Sequence, residues 1–104
     1  MDHKGTDMPK AYWVSAYHEV RDDDQLAAYA KLAGPAITEA GGTFLARGVA
    51  AKAYEAGLAE RTVIIEFPSL DAAVACHDGP AYQAALDALG DAVTRDLRVV
   101  EAPE

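Results

Sequence analysis

Two charged side chains interrupt otherwise apolar segments of this chain: Arg47 in "TFLARGVA", residues 43–50, and Glu66 in "RTVIIEF", residues 61–67. A carboxylate in a partly dry setting has a raised pKa and suits proton transfer. A guanidinium in the same setting anchors a substrate carboxylate. Glu66 as general base and Arg47 as anion anchor are therefore the candidate catalytic residues. The competing reading is structural: an ion pair between neighbouring strands that fixes register or an interface. Trp13 and Tyr17 offer an aromatic wall for a ligand, and Tyr82 and His18 complete the candidate ligand-binding set. Each has a plainer role as well. Tyr82 reads as a core aromatic with its hydroxyl satisfied, and His18, beside Glu19, as a surface or interface histidine. His77 with Asp78 suits the negative end of a helix, Ser69 a helix cap, and His3 the N-terminal tail. No His/Asp/Glu set has metal-ligand spacing, so no metal is expected. Gly41-Gly42 reads as a turn rather than a phosphate loop, because the basic residue and helix of such a loop do not follow. No dinucleotide fingerprint is present either. No cofactor is expected.

These side chains need a scaffold, and 104 residues suit one small domain. With 51% hydrophobic and 25% charged residues the chain has a globular composition. Lys plus Arg is 9 against 17 Asp plus Glu, a net charge of -8. Such a surface repels phosphate backbones and anionic lipid, so neither nucleic acid nor membrane is an expected partner. The single cysteine, Cys76, allows no intrachain disulfide and reads as a small buried hydrophobe. Residues 1–9 are polar and read as a flexible tail, without the apolar run of a signal peptide. Residues 10–104 form the domain, with the cytoplasm as the default location.

The hydrophobic pattern predicts strands over 11–20, 43–50, 61–67 and 95–102. Asp22, followed three residues later by Gln25, resembles a capping box. It opens a helix carrying Leu26, Tyr29, Ala33 and Ile37, which Gly34-Pro35 should kink or restart. Pro68 ends the third strand, and Ser69 caps a helix from Leu70. Asp78-Gly79-Pro80 divides that helix into two segments, the second reaching about Val93. The order β-α-β-β-α-β is the ferredoxin-like pattern: α+β, four antiparallel strands with the helices on one face.

Strand side chains alternate between faces. Val63, Ile65 and Phe67 should meet the helices, joined by Val14 and Ala16, Phe44 and Ala46, and Leu97 and Val99. The open face then receives Trp13, Ser15, Tyr17, Leu45, Arg47, Ile64, Glu66, Arg98 and Val100. A slip of one residue in the first strand would exchange its two sets. Such an open face is too apolar and aromatic to stay wet, which predicts a homodimer, sheet against sheet.

"GGTFLARG" at 41–48, "RTVIIEFPSLDAA" at 61–73 and "GPAYQAA" at 79–85 resemble the domain-of-unknown-function 1330 family, over about residues 10–102. The resemblance implies the dimeric α+β barrel superfamily, whose members include small monooxygenases, dismutases, isomerases and binding modules. It places recurring polar positions at Arg47, Glu66 and Tyr82. Two departures stand out: Gly79 where a serine is usual and Leu89 where an arginine is common. The sequence thus supports two functions. One is a cofactor-independent enzyme acting on a small organic molecule in a pocket between the dimer sheets. The other is a non-catalytic binding or regulatory homodimer in which the same polar residues are structural.

Overall fold

A computed structural model describes residues 8–103. The expected flexible tail therefore falls largely outside the described residues, His3 with it. Seven elements follow in order: β1 (Ala11–Val20), α1 (Asp23–Glu39), β2 (Thr43–Val49), β3 (Arg61–Phe67), α2 (Leu70–Asp78), α3 (Pro80–Leu89) and β4 (Val93–Glu101). The strands form one antiparallel sheet in the order β2-β3-β1-β4. The helices cover one face, which is the expected ferredoxin-like α+β arrangement. Among the described residues, no helix is long and apolar enough to cross a membrane.

Local signals account for most boundaries. Asp22 accepts from the Gln25 backbone N–H and Ser69 from that of Ala72, each satisfying a donor at a helix start. Gly79 separates α2 from α3, with Pro80 at the first position of α3. Two boundaries differ from expectation. α1 runs unbroken through Gly34-Pro35, with the proline on its exposed side. α3 stops at Leu89 rather than near Val93, because Gly90 takes a positive φ of 55° that the helix cannot continue. β4 accordingly begins two residues early, at Val93.

The register of β1 corrects the expected face assignment. Trp13 lies opposite Ile65 and Val99, and Ser15 opposite Val63 and Leu97. Opposed residues share a face, so Trp13, Ser15 and Tyr17 point at the helices, and Tyr12, Val14 and Ala16 point away. Size decides between the two registers. Trp13 stacks on Phe67 with centroids 5.8 Å apart and meets Tyr82 edge-on at 5.0 Å. Only the helix side can enclose such rings, and burying them removes far more apolar surface than burying Val14 and Ala16.

A second correction concerns β2. Its register against β3 shifts between Phe44 and Ala46. Leu45 is the extra residue of a bulge, and alternation restarts after it. Phe44 pairs with Ile65, Ala46 with Ile64 and Arg47 with Val63. Ala46 therefore leaves the helix face and Arg47 joins it. The core lies between sheet and helices, centred on Trp13, Tyr82, Phe67 and Ile65, with Tyr29, Ala33, Ile37, Ala85 and Leu89 contributed by α1 and α3.

Candidate functional site

The helix-facing side of the sheet carries three arginines at one corner. Arg61 continues the Val63, Ile65, Phe67 set of β3, and Arg47 is opposite Val63 on β2. Arg95 on β4 is opposite Tyr17. Tyr17 follows the Ala16–Thr62 pair, which brings it beside Arg61. The Arg61 and Arg95 guanidinium carbons lie 5.8 Å and 5.4 Å from its ring centroid. Arg47 is at the exposed rim, its guanidinium 4.4 Å over the Phe44 ring.

These residues line a cleft between α1 and the sheet. Its apolar wall is Ala30, Ala33, Gly34 and Ile37 of α1, with Phe44, Val63, Ile65 and Trp13 across from them. Its polar end is Ser15, Tyr17, Tyr29, Arg61 and Arg95, with Arg47 at the mouth. The cavity itself is about 30 Å³ and opens to solvent at its mouth. That is room for a few water-sized groups, so the cleft suits the polar head of a small occupant whose remainder lies at the open mouth.

The polar end is rich in donors. Arg95 Nη1 donates to Tyr17 Oη at 2.9 Å, Tyr29 Oη at 3.3 Å and Ser15 Oγ at 3.5 Å. Its Nη2 donates to Tyr82 Oη at 3.1 Å. Tyr29 and Tyr82 share a further hydrogen bond of 2.6 Å, which uses one of their hydroxyl protons. The Tyr17 proton and the remaining one of the Tyr29–Tyr82 pair have no acceptor among the described residues. Arg61 Nε is buried and likewise lacks a partner among them. The lining contains three guanidinium groups and no carboxylate, imidazole or thiol.

The electrostatics follow from this packing. Burial raises the Tyr82 pKa well above the ordinary phenol value, and the neighbouring Tyr29 phenol raises it further; Arg95 opposes both without reversing them. Tyr82 is thus held protonated. Burial works against the Arg95 charge, but the phenol oxygens of Tyr29, Tyr82 and Tyr17 outweigh it, and the net shift is upward.

Of the residues singled out from sequence, Trp13, Tyr17 and Arg47 line the cleft, and Tyr82 closes the hydrogen-bond network behind it. Glu66 and Arg47 do not come together. Their strands are neighbours, but Glu66 lies on the open face opposite Tyr12 and Thr43. Its partner there is Lys10 Nζ, at 3.5 Å. His18 also stands away from the cleft, paired at 2.9 Å with Asp96. The cleft moreover lies under the helices rather than on the face where the dimer pocket was expected. His77, in the last turn of α2, bonds Asp78 at 3.0 Å and packs against the Trp13 and Tyr82 rings. Cys76 is buried, which raises its pKa and keeps the thiol protonated. Among the described residues, no group of His, Cys, Asp and Glu could hold a metal ion.

Sequence reasoning missed Arg61 and Arg95. The signal was parity. Counting back by two from Val63 and from Leu97 puts both arginines on the helix face, where an unpaired charge needs a reason.

The model of the domain of unknown function DUF1330 matches residues 10–103. Among curated proteins, none matches the sequence. Several solved structures share the fold. A protein of unknown function from Rhodopseudomonas palustris is 19% identical, with a TM-score of 0.72, over 92% of this chain and 84% of that one. A dimeric ferredoxin-like protein of unknown function from Thermobifida fusca is 17% identical, with a TM-score of 0.63, over 91% and 92%. SnoaB from Streptomyces nogalater, a cofactor-independent oxygenase, is 15% identical, with a TM-score of 0.59, over 92% and 95%.

Proposed function

The chain belongs to the DUF1330 family, which brings no reaction with it, and we propose from the geometry of the cleft that this member binds a small organic acid as its anion. The observation that carries the reading is the imbalance of donors over acceptors: three guanidinium groups and unpaired tyrosine protons converge where no lining residue supplies a carboxylate. Buried donors without acceptors are costly, and an anion supplies the missing lone pairs and the missing charge together. The apolar wall between α1 and Phe44 takes the body of the molecule.

The likeness to SnoaB supports a second reading, in which the bound acid is a substrate and no cofactor is used. The chain's own contribution would be electrostatic. Arg95 and the tyrosine hydroxyls are fixed donors that stabilise negative charge developing on a substrate oxygen. Glu66 has no part in this, since the sheet separates it from the cleft. The Thermobifida fusca protein is described as dimeric, and the uncovered open face supports a homodimer of this chain as well.

A thermal-shift screen of small carboxylic acids against their uncharged amides tests the binding reading. Acids at millimolar concentration should raise Tm, and amides of the same shape should not. Glu66→Gln should leave the acid response unchanged, whereas Arg95→Met should abolish it. Equal stabilisation by acids and amides, or loss of the response in Glu66→Gln, rejects the assignment.

A further inference from the structure

The reading of the cleft as an anion site leaves open which group grips the anion, and two observations separate the arginines. Arg95 is already engaged: both terminal nitrogens donate to hydroxyl oxygens of Ser15, Tyr17, Tyr29 and Tyr82. Arg61 is not. It forms no hydrogen bond or ion pair among the described residues, and its Nε is buried without a partner. A buried N–H without an acceptor is costly, and Nε is too enclosed to be met from the cleft, so the terminal nitrogens are the Arg61 donors a ligand can reach. Arg61 also stands on the helix-facing side, its guanidinium carbon 5.8 Å from the Tyr17 ring that borders the cleft.

We propose that Arg61 is the specificity-determining anchor, taking a ligand carboxylate end-on through its two terminal nitrogens. This rests on the anion-binding reading and sharpens it to a chemical class: a small monocarboxylate with an apolar or aromatic body. The paired N–H groups of a guanidinium edge match the two oxygens of a carboxylate in one plane. A phosphate monoester is tetrahedral, so its third oxygen leaves the guanidinium plane and it matches this flat edge less well than a carboxylate does. Lysine cannot replace this anchor, because it has no fork.

The chain's single tryptophan, Trp13, is 1% exposed and lines the cleft, so its fluorescence reports occupancy. Benzoate, 3-phenylpropanoate and hexanoate, benzamide and phenyl phosphate are titrated into the wild type, Arg61→Met and Arg61→Lys. The carboxylates should perturb Trp13 saturably in the wild type, with phenyl phosphate at least tenfold weaker and benzamide without effect. Arg61→Met and Arg61→Lys should each weaken the carboxylates by tenfold or more. Without ligand, Arg61→Met should melt at or above the wild-type temperature, because it removes an unpartnered donor; a structural arginine would give a drop. Undiminished carboxylate binding by Arg61→Met overturns the anchor while leaving the anion cleft standing. Phenyl phosphate binding as tightly as the carboxylates overturns the carboxylate assignment. No response of the wild type to any of the acids at ~10 mM overturns both the anchor and the cleft.

Discussion

Arg95 is a half-buried cation balanced by hydroxyls rather than by a carboxylate, and this sets its energetics. Phenol oxygens are neutral acceptors, so each satisfies an N–H without cancelling the charge. Tyr82 matters most, as it alone receives from Nη2 and also holds Tyr29 in place. Tyr82→Phe should lower unfolding free energy by about 1.5–3 kcal/mol, the range for hydrogen bonds to charged groups. For a chain of this size that is a Tm loss of several degrees. The same tyrosine makes stability depend on alkaline pH. Its folded pKa is raised, so its contribution is complete below the ordinary phenol value of ~10. Above that value the unfolded state loses the proton while the folded state keeps it. Stability then falls with a slope approaching ~1.4 kcal/mol per pH unit for this one proton. Denaturant melts between pH 8 and 11 should show that slope for the wild type, and a shallower one for Tyr82→Phe.

At the scale of elements, two strands placed the site, β1 by its choice of register and β2 by a break in its alternation. In β1 the aromatic and small residues alternate so evenly that either face could be the core. Only the room under α2 and α3 for Trp13 selects the observed register. In β2 the bulge at Leu45 turns Arg47 toward the helices; composition does not mark a bulge, because any residue can occupy it. The remaining elements were legible locally. Asp22 and Ser69 cap where their side chains allow, Gly79-Pro80 divides the helices, and the uniformly apolar Val63, Ile65 and Phe67 define the core face. The separation of Glu66 from Arg47 was not legible, since the expected pairing rested on an unbroken alternation through β2. The turn between α1 and β2 offers a direct test of how tightly these layers meet. A Cβ at Gly42 would stand 2.6 Å from Ile37 Cγ2 and 2.9 Å from Phe67 Cζ, both buried. Gly42→Ala should therefore cost ~1–3 kcal/mol through overpacking, measured by denaturant unfolding, and a neutral result would show that the turn can move.

The molecule is a slab, 50 × 36 × 16 Å, and among the described residues the helices lie on one side of the sheet and none lies on the other. Placing Trp13 and Tyr17 inside changes what the open face presents without making it polar. Its centre is Tyr12, Val14 and Ala16 of β1 and Ile64 of β3, with Val100 of β4 beside them at 55% exposure. Charged residues stand around that centre: Lys10 with Glu66, and Asp96 with His18 and Arg98. An apolar centre inside a polar rim is the anatomy of a protein interface. A second copy laid sheet to sheet would cover it across a two-fold axis, with the two cleft openings left on the outer, helical sides. Specific interfaces bury roughly 1,200–2,000 Å² in total, and a four-stranded face is large enough to supply that. Sedimentation at micromolar concentration should therefore give a dimer. Ile64→Asp and Val14→Asp each put a carboxylate at the centre of both facing sheets, and either should yield a folded monomer. Because the clefts lie on the far side of the sheet, that monomer should still take up small carboxylic acids. A wild-type monomer, or dimers that survive both substitutions, would show that the open face is not the contact.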